Sequence, residues 1–178
     1  MNLTDRCRQV ELILSDVDGV LTDGGILYDN QGIEIKKFHI RDGLGIKLWQ
    51  RAGFRFGVLT ARSSHIVKVR AAELGVDIVR QGFENKLPAA KEVLKQLGLR
   101  PEQACYIGDD LTDLPVIQHL GLGVAVADAA PEVRALATHV TRAGGGQGAV
   151  RELIETILRA KNRWDDLVQT YLDASRTS

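Results

Sequence analysis

Several features that mark particular classes of protein are scarce or missing in this chain of 178 residues. Its 23 basic and 23 acidic residues give a formal net charge of zero, which argues against a general nucleic-acid or anionic-membrane surface. No stretch reaches the roughly 18 consecutive apolar residues expected of a membrane span. We therefore expect no nucleic-acid partner and no membrane partner, and any electrostatic function must be local.

Cysteine is also scarce, since only two are present. Cys7 lies in a polar leader and Cys105 in a predicted core strand, so buried thiols are expected rather than a disulfide. The apolar stretch that follows the leader is short and carries Glu11 and Asp16, unlike a secretory signal peptide. These features predict a cytoplasmic protein.

Short apolar runs with the length of buried strands alternate with runs of helical period along most of the chain. This alternation predicts right-handed crossovers and a doubly wound, mostly parallel α/β sheet with helices on both faces. A chain of this length has the size of one domain, which buries roughly 70% of its unfolded surface. After the first strand, the predicted strands cover 54–59, 76–79, 103–107, 122–126 and 139–141, and the predicted helices cover 42–53, 85–98, 111–119, 131–137 and a segment that Ser63 or Ser64 caps and that ends before Gly75.

A β-hairpin is predicted directly after the first strand. Segments 25–28 and 33–38 flank Asp29-Asn30-Gln31-Gly32, a loop with a glycine between two strand-forming runs. This hairpin, at about 25–39, interrupts the expected step from strand to helix. No other insertion is long enough to form a separate cap domain, so we expect a single domain over residues 1–160 and a helical tail over 161–178.

Two apolar strands run directly into acidic residues. The strand that ends near Ser15 places Asp16 and Asp18 at a turn made by Gly19, and strand 104–107 leads into the acidic segment 108–113. Ligand sites in open α/β sheets lie at the carboxyl ends of strands. Either segment alone is ordinary turn material and is a solvated loop about as often as a site. Their joint occurrence, each after an apolar strand, favours a site.

Carboxylates gathered at neighbouring strand ends repel one another unless a cation lies among them. Two unit charges about 4 Å apart interact by roughly 4 kcal/mol at an effective dielectric near 20. Ligation by oxygen alone suits a hard ion, and Mg2+ is the usual partner where a substrate brings phosphate oxygens. The sequence therefore predicts Mg2+ as the cofactor.

Taken together, the motifs resemble those of the haloacid dehalogenase superfamily of phosphatases. They are Asp-x-Asp-Gly-Val-Leu-Thr at 16–22, Thr60, Lys86 and Gly-Asp-Asp-x-x-Asp at 108–113. Within it, the chain is similar to the 3-deoxy-D-manno-octulosonate 8-phosphate phosphatase family from about residue 10 to residue 160. The resemblance implies a haloacid dehalogenase-like fold and Mg2+-dependent hydrolysis of a sugar-acid phosphate in lipopolysaccharide sugar biosynthesis. The matching segments are 38–47, 81–82, 106–115, 125–129 and 148–152.

The resemblance also implies catalytic and metal-binding roles. Asp16 is the nucleophile that forms an aspartyl-phosphate, while Asp18 protonates the leaving sugar oxygen and then takes a proton from the attacking water. Thr60 donates its hydroxyl to the phosphoryl group, and Lys86 pairs with the phosphoryl group and with Asp16. Mg2+ binds Asp16, Asp109 and the backbone carbonyl of Asp18.

Plainer roles exist for some of these residues. Thr60 can cap the helix that follows it. Lys86 can be a solvated lysine, although a cation at a helix start is disfavoured unless an anion neutralises it. Asp110 and Asp113 are expected to fix their loop or support the site rather than to bind the metal directly.

Substrate contacts are likewise implied by the resemblance. Guanidinium groups suit the carboxylate of a sugar acid. Without the resemblance, Asp42 is simply a helix cap, Arg70 part of a solvated face and His39 a strand-end residue. The positions that the resemblance assigns are Asp18, His39, Ile40, Arg41, Asp42, Gly43, Lys47, Arg62, Arg70 and Lys86.

Arg62 bears on which sugar acid is bound. Relatives that act on 2-keto-3-deoxynononate 9-phosphate tend to carry an acid at this position, so arginine favours the eight-carbon substrate, with the nine-carbon substrate as the alternative. Three other positions depart from the family pattern and bear on selectivity. They are Ala61, where glycine is common, His39, where asparagine is common, and Gln147, where arginine is frequent.

The C-terminal segment carries apolar residues in nearly one stripe of helical period, interrupted by Lys161. Its first half, 150–158, is expected to pack on the chain's own sheet. The portion 164–172 lies beyond the last predicted strand and can dock on a neighbouring subunit. The resemblance points to a homotetramer in which hairpins associate and C-terminal tails approach adjacent active sites.

Two further interpretations are disfavoured. Segment 144–148 is rich in glycine but lacks the spaced Gly-Lys-Ser/Thr of a P-loop, so it predicts a mobile lid or a hinge for the tail rather than an ATP site. Outside enzymes, the alternative is a non-catalytic binding subunit that keeps the fold. The complete set of catalytic motifs argues against that alternative.

Overall fold

A six-stranded parallel sheet forms the centre of the computed structural model, which describes residues 1–174. The central strand is flanked on both sides, with Leu12 opposite Arg55 and Ala104. This doubly wound topology confirms the predicted fold class. In spatial order the strands are β5 (Ile78–Gln81), β4 (Arg55–Thr60), β1 (Leu12–Ser15), β6 (Ala104–Gly108), β7 (Leu122–Ala125) and β8 (His139–Val140).

Helices cover this sheet in two groups. One group packs around α2 (Ile40–Arg51) and α7 (Ala149–Ala160), and the other packs around α5 (Leu114–His119). The first consists of α1 (Leu3–Gln9), α2 (Ile40–Arg51), α3 (His65–Leu74), α7 (Ala149–Ala160) and α8 (Trp164–Ala174), and the second of α4 (Lys86–Leu97), α5 (Leu114–His119) and α6 (Pro131–Leu136). Among residues 1–174, no helix is long and apolar enough to cross a membrane.

The predicted hairpin is present as a separate two-stranded antiparallel sheet, formed by β2 (Leu27–Tyr28) and β3 (Glu34–Ile35). Asp29 shapes its turn, because the Asp29 carboxylate accepts the backbone N–H groups of Gln31 and Ile33 at 2.8 Å each. Leu27 lies opposite Ile35, and Tyr28 lies opposite Glu34. The hairpin therefore has an apolar face and a polar face.

Three local expectations need correction. The N-terminal segment is not a polar leader: it forms α1, and Cys7 is 1% exposed within the core. Strand β5 starts at Ile78 rather than Val76, because Gly75 ends α3 in the left-handed conformation. Val76 is buried at this helix end, and its N–H donates a hydrogen bond to the carbonyl of Ala71. Segment 111–119 begins with a 3-10 turn before α5.

The C-terminal tail forms two helices rather than one continuous stripe. They are separated around Asn162, which has a φ of +55°. Trp164 is 7% exposed, and the guanidinium groups of Arg151 and Arg159 lie 5.1 and 5.2 Å from its ring centre. The start of α8 therefore packs on its own chain. The last part of the predicted tail, 175–178, lies outside the described residues.

Candidate active site

The carboxyl ends of β1 and β6 lie side by side, because these strands are neighbours in the sheet. Asp16 directly follows β1, and Asp109 directly follows β6. One oxygen of each of Asp16, Asp109 and Asp113 lies within 4.8 Å of the other two. Two motifs that are distant in sequence therefore form one acidic cluster.

Gly19 makes room for the Asp109 carboxylate. Its backbone has a φ of +85°, in the left-handed region that favours glycine. A Cβ atom at this position would lie 2.0 Å from Asp109 Oδ2. Any side chain at Gly19 would displace Asp109 from the cluster.

The glycine-rich segment 144–148 packs against this turn. Its first three glycines are buried, and the N–H of Gly146 donates to the carbonyl of Val20 at 2.9 Å. A Cβ atom at Gly145 would lie 2.0 Å from the carbonyl oxygen of Gly19. Glycine serves here to let two backbone segments pack closely, and a mobile lid or a hinge for the tail stays a prediction.

Lys86 joins the two acidic motifs from the start of α4. Its side chain is 1% exposed, and Nζ lies 2.6 Å from Asp16 Oδ2 and 2.5 Å from Asp113 Oδ1. Burial alone would lower the pKa of Lys86, but the two carboxylates outweigh burial and raise it. The lysine therefore stays charged, and its carboxylate partners offset the unfavourable helix dipole.

Asp113 fixes the loop after β6. Its Oδ1 accepts hydrogen bonds from Lys86 Nζ and from the Tyr106 hydroxyl at 2.7 Å. Its Oδ2 accepts the backbone N–H groups of Asp109 at 2.9 Å and Asp110 at 3.2 Å. With two donors on each oxygen, this carboxylate has little capacity left for a metal ion.

The remaining two carboxylates of the cluster have strongly perturbed proton affinities. Burial raises the pKa of Asp16 to about 6, and repulsion by Asp113 adds to this effect while Lys86 opposes it. Burial, followed by repulsion from Asp16 and Asp113, raises the pKa of Asp109 to about 8. A divalent cation would relieve this repulsion, and carboxylate oxygens are the ligands that Mg2+ prefers. Asp16 and Asp109 therefore fit a magnesium site.

Asp18 lies apart from this cluster and faces the hairpin. Its Oδ1 accepts a close hydrogen bond from Lys36 Nζ, and its Oδ2 lies 3.8 Å from Arg62 Nη1. Only 2% of the Lys36 side chain is exposed. The two aspartates of the first motif therefore have different cationic partners, Lys86 for Asp16 and Lys36 for Asp18.

Glu34 connects the hairpin to the segment after β4. Its Oε1 accepts from Arg62 Nη2 at 2.8 Å and lies 3.3 Å from Lys36 Nζ. Its Oε2 accepts from the Ser64 hydroxyl at 2.6 Å, and these donors lower the pKa of Glu34, with the Ser64 bond as the largest cause. Ser64 occupies the N-cap position of α3, but its hydroxyl does not cap the helix as expected.

Lys36 and Glu34 are absent from the predicted site. A signal for them exists in the alternation of the segment Ile33-Glu34-Ile35-Lys36, which places the two charged residues on one face of a strand. The usual expectation is that the apolar face of a strand is buried. Here Ile33 and Ile35 are 57% and 53% exposed, and the charged face turns toward Asp18.

Of the other predicted residues, Thr60 and Arg62 lie near the acidic residues. Thr60 is the last residue of β4 and is 2% exposed. Arg62 follows it, and Arg62 Nη1 is buried without a hydrogen-bond acceptor among residues 1–174. Such an orphaned donor is costly unless a ligand supplies the acceptor. Gln81 Nε2 is also buried without an acceptor among residues 1–174. The amide oxygen of Gln81 accepts the N–H of Ser64 at 2.7 Å.

The predicted substrate contacts around α2 form a second group. His39 is the N-cap of α2, and its Nδ1 accepts the N–H of Arg41 at 3.2 Å. Arg70 pairs with Glu73 at 2.8 Å. Its guanidinium lies close to the backbone of Gly43, where a Cβ atom would be only 2.4 Å from Arg70 Nη2. This group also contains Ile40 and Lys47, both exposed.

Asp42 belongs to the same group but faces α7. It is 2% exposed, and its Oδ1 accepts the N–H of Arg151 at 2.7 Å in the first turn of α7. Burial raises the pKa of Asp42, while backbone N–H groups of α7 oppose this shift. Asp42 therefore caps a neighbouring helix, and its Oδ2 has no hydrogen-bond partner among residues 1–174.

Known proteins resemble this chain over most of its length. The sequence model of the haloacid dehalogenase-like hydrolases matches residues 60–153. The 3-deoxy-D-manno-octulosonate 8-phosphate phosphatase of Escherichia coli K12 is 42% identical over 161 residues, which are 90% of this chain and 86% of the relative.

Solved structures agree with the sequence comparison. The Moraxella catarrhalis phosphatase of the same name, solved with magnesium ion, phosphate ion and KDO, has a TM-score of 0.93 and 39% identity, covering 94% of this chain and 97% of that one. The Yersinia pestis phosphatase has a TM-score of 0.90 and 43% identity, covering 92% and 88%. The chain belongs to the haloacid dehalogenase-like hydrolases, in the family of the 3-deoxy-D-manno-octulosonate 8-phosphate phosphatases.

Proposed function

We propose that this protein is a Mg2+-dependent phosphatase that hydrolyses 3-deoxy-D-manno-octulosonate 8-phosphate to the sugar acid and phosphate. The observation that carries the proposal is that the two aspartates at the end of β1 pair with different cationic side chains. Lys86 holds Asp16 beside Asp109, while Lys36 and Arg62 surround Asp18. These different surroundings support Asp16 as the group that attacks phosphorus and Asp18 as the group that transfers protons.

In the first step, Asp16 attacks the phosphorus atom and the bond to the sugar oxygen breaks, giving an aspartyl-phosphate. Asp18 gives its proton to the departing sugar oxygen. In the second step, Asp18 takes a proton from water as the water attacks the same phosphorus atom. Phosphate leaves, and the Asp16 carboxylate is regenerated.

The surrounding residues stabilise charge during these steps. Lys86 lies against the Asp16 oxygen and can pair with the phosphoryl group, and the Thr60 hydroxyl can donate to it. Magnesium would be held by Asp16, Asp109 and the backbone carbonyl of Asp18. When bound, Mg2+ supplies positive charge to the phosphoryl oxygens and removes the repulsion between the carboxylates.

Arg62 supports a sugar acid as substrate. Its buried Nη1 lacks an acceptor among residues 1–174, and a ligand carboxylate or hydroxyl can provide one. A guanidinium at this position favours the eight-carbon sugar acid over the nine-carbon alternative, 2-keto-3-deoxynononate 9-phosphate. We further propose that the residues around α2 complete the substrate site, namely His39, Ile40, Arg41, Asp42, Gly43, Lys47 and Arg70.

We also propose a homotetramer. The apolar face of the hairpin carries Leu27, Ile33 and Ile35, which are 53%, 57% and 53% exposed. Exposed apolar surface of this kind marks an interaction site, and association of hairpins from several copies would cover it. The free thiols of Cys7 and Cys105 support the cytoplasm as its location, where it would serve lipopolysaccharide sugar biosynthesis.

The substrate assignment is tested by comparing phosphate release from the eight-carbon and nine-carbon sugar-acid phosphates with Mg2+ present. We expect the value of kcat/KM for the eight-carbon substrate to be at least tenfold higher. A preference for the nine-carbon substrate would keep the chemistry and overturn the substrate. No turnover of either would favour a non-catalytic subunit.

A further inference from the structure

We infer that Lys36 of the hairpin is a positioning residue that orients the Asp18 carboxylate for proton transfer. The inference rests on the proposed function and adds a residue from outside the catalytic motifs. It assigns a catalytic purpose to the polar face of the hairpin. Four side chains form this arrangement, namely Asp18, Glu34, Lys36 and Arg62.

The contacts of Lys36 leave its ammonium group little freedom. Its side chain is 2% exposed, although the residue follows a hairpin strand whose other face is open. The Nζ atom donates a hydrogen bond to Asp18 Oδ1 and lies 3.3 Å from Glu34 Oε1. A buried ammonium group needs such partners, because an unpaired charge removed from water is strongly destabilising.

Lys36 thereby distinguishes the two oxygens of Asp18. Because the ammonium group occupies Oδ1, Oδ2 is the oxygen left for the leaving group. Oδ2 faces Arg62 Nη1 at 3.8 Å, beyond hydrogen-bond distance. The Arg62 and Lys36 contacts place Oδ2 beside the guanidinium that we propose binds the substrate.

Glu34 neutralises the positive charge that Lys36 brings close to Asp18. Its carboxylate pairs with both Lys36 and Arg62, so charges of opposite sign alternate through the four side chains. Ser64 holds the second oxygen of Glu34 at 2.6 Å. The hairpin is thus tied to the segment after β4 on one side and to Asp18 on the other.

The test is the substitution Lys36→Met, which keeps an unbranched side chain and removes the ammonium group. It is read as kcat/KM for 3-deoxy-D-manno-octulosonate 8-phosphate and for p-nitrophenyl phosphate. The sugar oxygen needs a proton in order to leave, whereas p-nitrophenolate does not. We expect at least a 30-fold loss on the sugar phosphate and less than a threefold loss on the aryl phosphate.

Two controls separate positioning from other roles. Lys37→Met removes the neighbouring lysine, which is 71% exposed and pairs with Asp23 at 2.6 Å, and should change neither value by more than twofold. Binding of the product sugar acid to Lys36→Met should stay within threefold of wild type. A weaker product affinity that accounts for the whole loss would make Lys36 a binding residue and overturn the inference.

Equal losses on both substrates, or no loss on either, would also overturn it. If Lys36→Met does not fold as judged by circular dichroism, Lys36→Gln is read by the same criteria. Failure of the wild-type chain to hydrolyse the sugar phosphate would instead refute the proposed function. The two failures are therefore distinguishable.

Discussion

At the residue scale, the acidic cluster is defined by how differently its carboxylates are partnered. Asp113 accepts four hydrogen bonds, whereas Asp109 lies against Gly19 and beside two other carboxylates. Burial and this repulsion raise the pKa of Asp109 to about 8. The metal-free site therefore favours a protonated Asp109 at neutral pH, and a cation competes with that proton.

The stability of the metal-free protein should consequently depend on pH. The pKa of Asp109 is raised from 3.8 to about 8 on folding, so the folded state binds more protons between these values. The free energy of unfolding should fall as pH rises from about 4 to about 8, by up to about 6 kcal/mol. Urea denaturation at several pH values, with chelator present, measures this free energy. Asp109→Asn should remove most of its dependence on pH.

Added Mg2+ should stabilise the protein more at pH 8 than at pH 6, because binding requires the ionised carboxylate. The control is Asp165→Asn, whose carboxylate is 98% exposed on α8, and it should keep the wild-type slope. A slope in Asp109→Asn equal to that of wild type would refute this account of the cluster.

Arg62 permits a second residue-scale prediction. Arg62→Glu places a carboxylate beside Glu34 and Asp18 and removes the buried donor Nη1. Activity on the eight-carbon sugar-acid phosphate should fall about 100-fold, in the range expected for loss of a charged hydrogen bond. Steady-state kinetics on an aryl phosphate should show a change of only a few-fold. Equal losses on both substrates would contradict a role in specificity.

Acidic segments that directly follow apolar strands predicted the residues at the ends of β1 and β6, and the family resemblance added Thr60 at the end of β4. They did not predict Lys36 and Glu34. The position of these two depends on how the hairpin packs against Asp18 and the segment after β4, which the alternation alone does not specify. The buried capping contact of Asp42 was missed for the same reason, since its partner Arg151 is distant in sequence.

At the element scale, most strands and helices followed the sequence pattern, but α1 was missed and other errors lay at boundaries. Val76 has the character of a strand residue but packs under the end of α3. The segment before β1 is polar enough to resemble a leader, yet Cys7 and Val10 bury one side of it. Tertiary packing overrode local preference at both places.

The contact between α2 and α7 gives the element-scale prediction. Asp42 caps the first turn of α7, so Asp42→Ala should lower the free energy of unfolding by about 1–2 kcal/mol. Chemical denaturation measures this loss. Asp42→Asn keeps an acceptor oxygen and should lose less. A large rise in KM with unchanged stability would instead make Asp42 mainly a substrate contact.

At the scale of the whole molecule, the hairpin presents charge inward and apolar side chains outward. This inversion is unfavourable for a lone chain and suits one whose hairpins are covered by other copies. It also connects assembly with chemistry, because β3 carries Glu34 on the face opposite Ile35. If the proposed tetramer forms through this face, its dissociation should disturb the residues around Asp18.

The double variant Ile33→Asp and Ile35→Asp tests the proposed tetramer. Sedimentation should show wild type at four times the chain mass of 19.5 kDa and the variant at a lower mass. Leu136→Asp, at an apolar position that is 51% exposed on α6, should remain tetrameric. A monomeric wild type would exclude the tetramer, and an unchanged variant would exclude this face of the hairpin as its interface.

We propose that Asp16 acts as the nucleophile of a Mg2+-dependent phosphatase. The most direct test is phosphate release from 3-deoxy-D-manno-octulosonate 8-phosphate by wild type and by Asp16→Asn, each with Mg2+ and with chelator. We predict rapid release only for wild type with Mg2+, and at least a 1,000-fold lower rate in the other three conditions. Equal release by Asp16→Asn, or release by wild type that is insensitive to chelator, would contradict the claim.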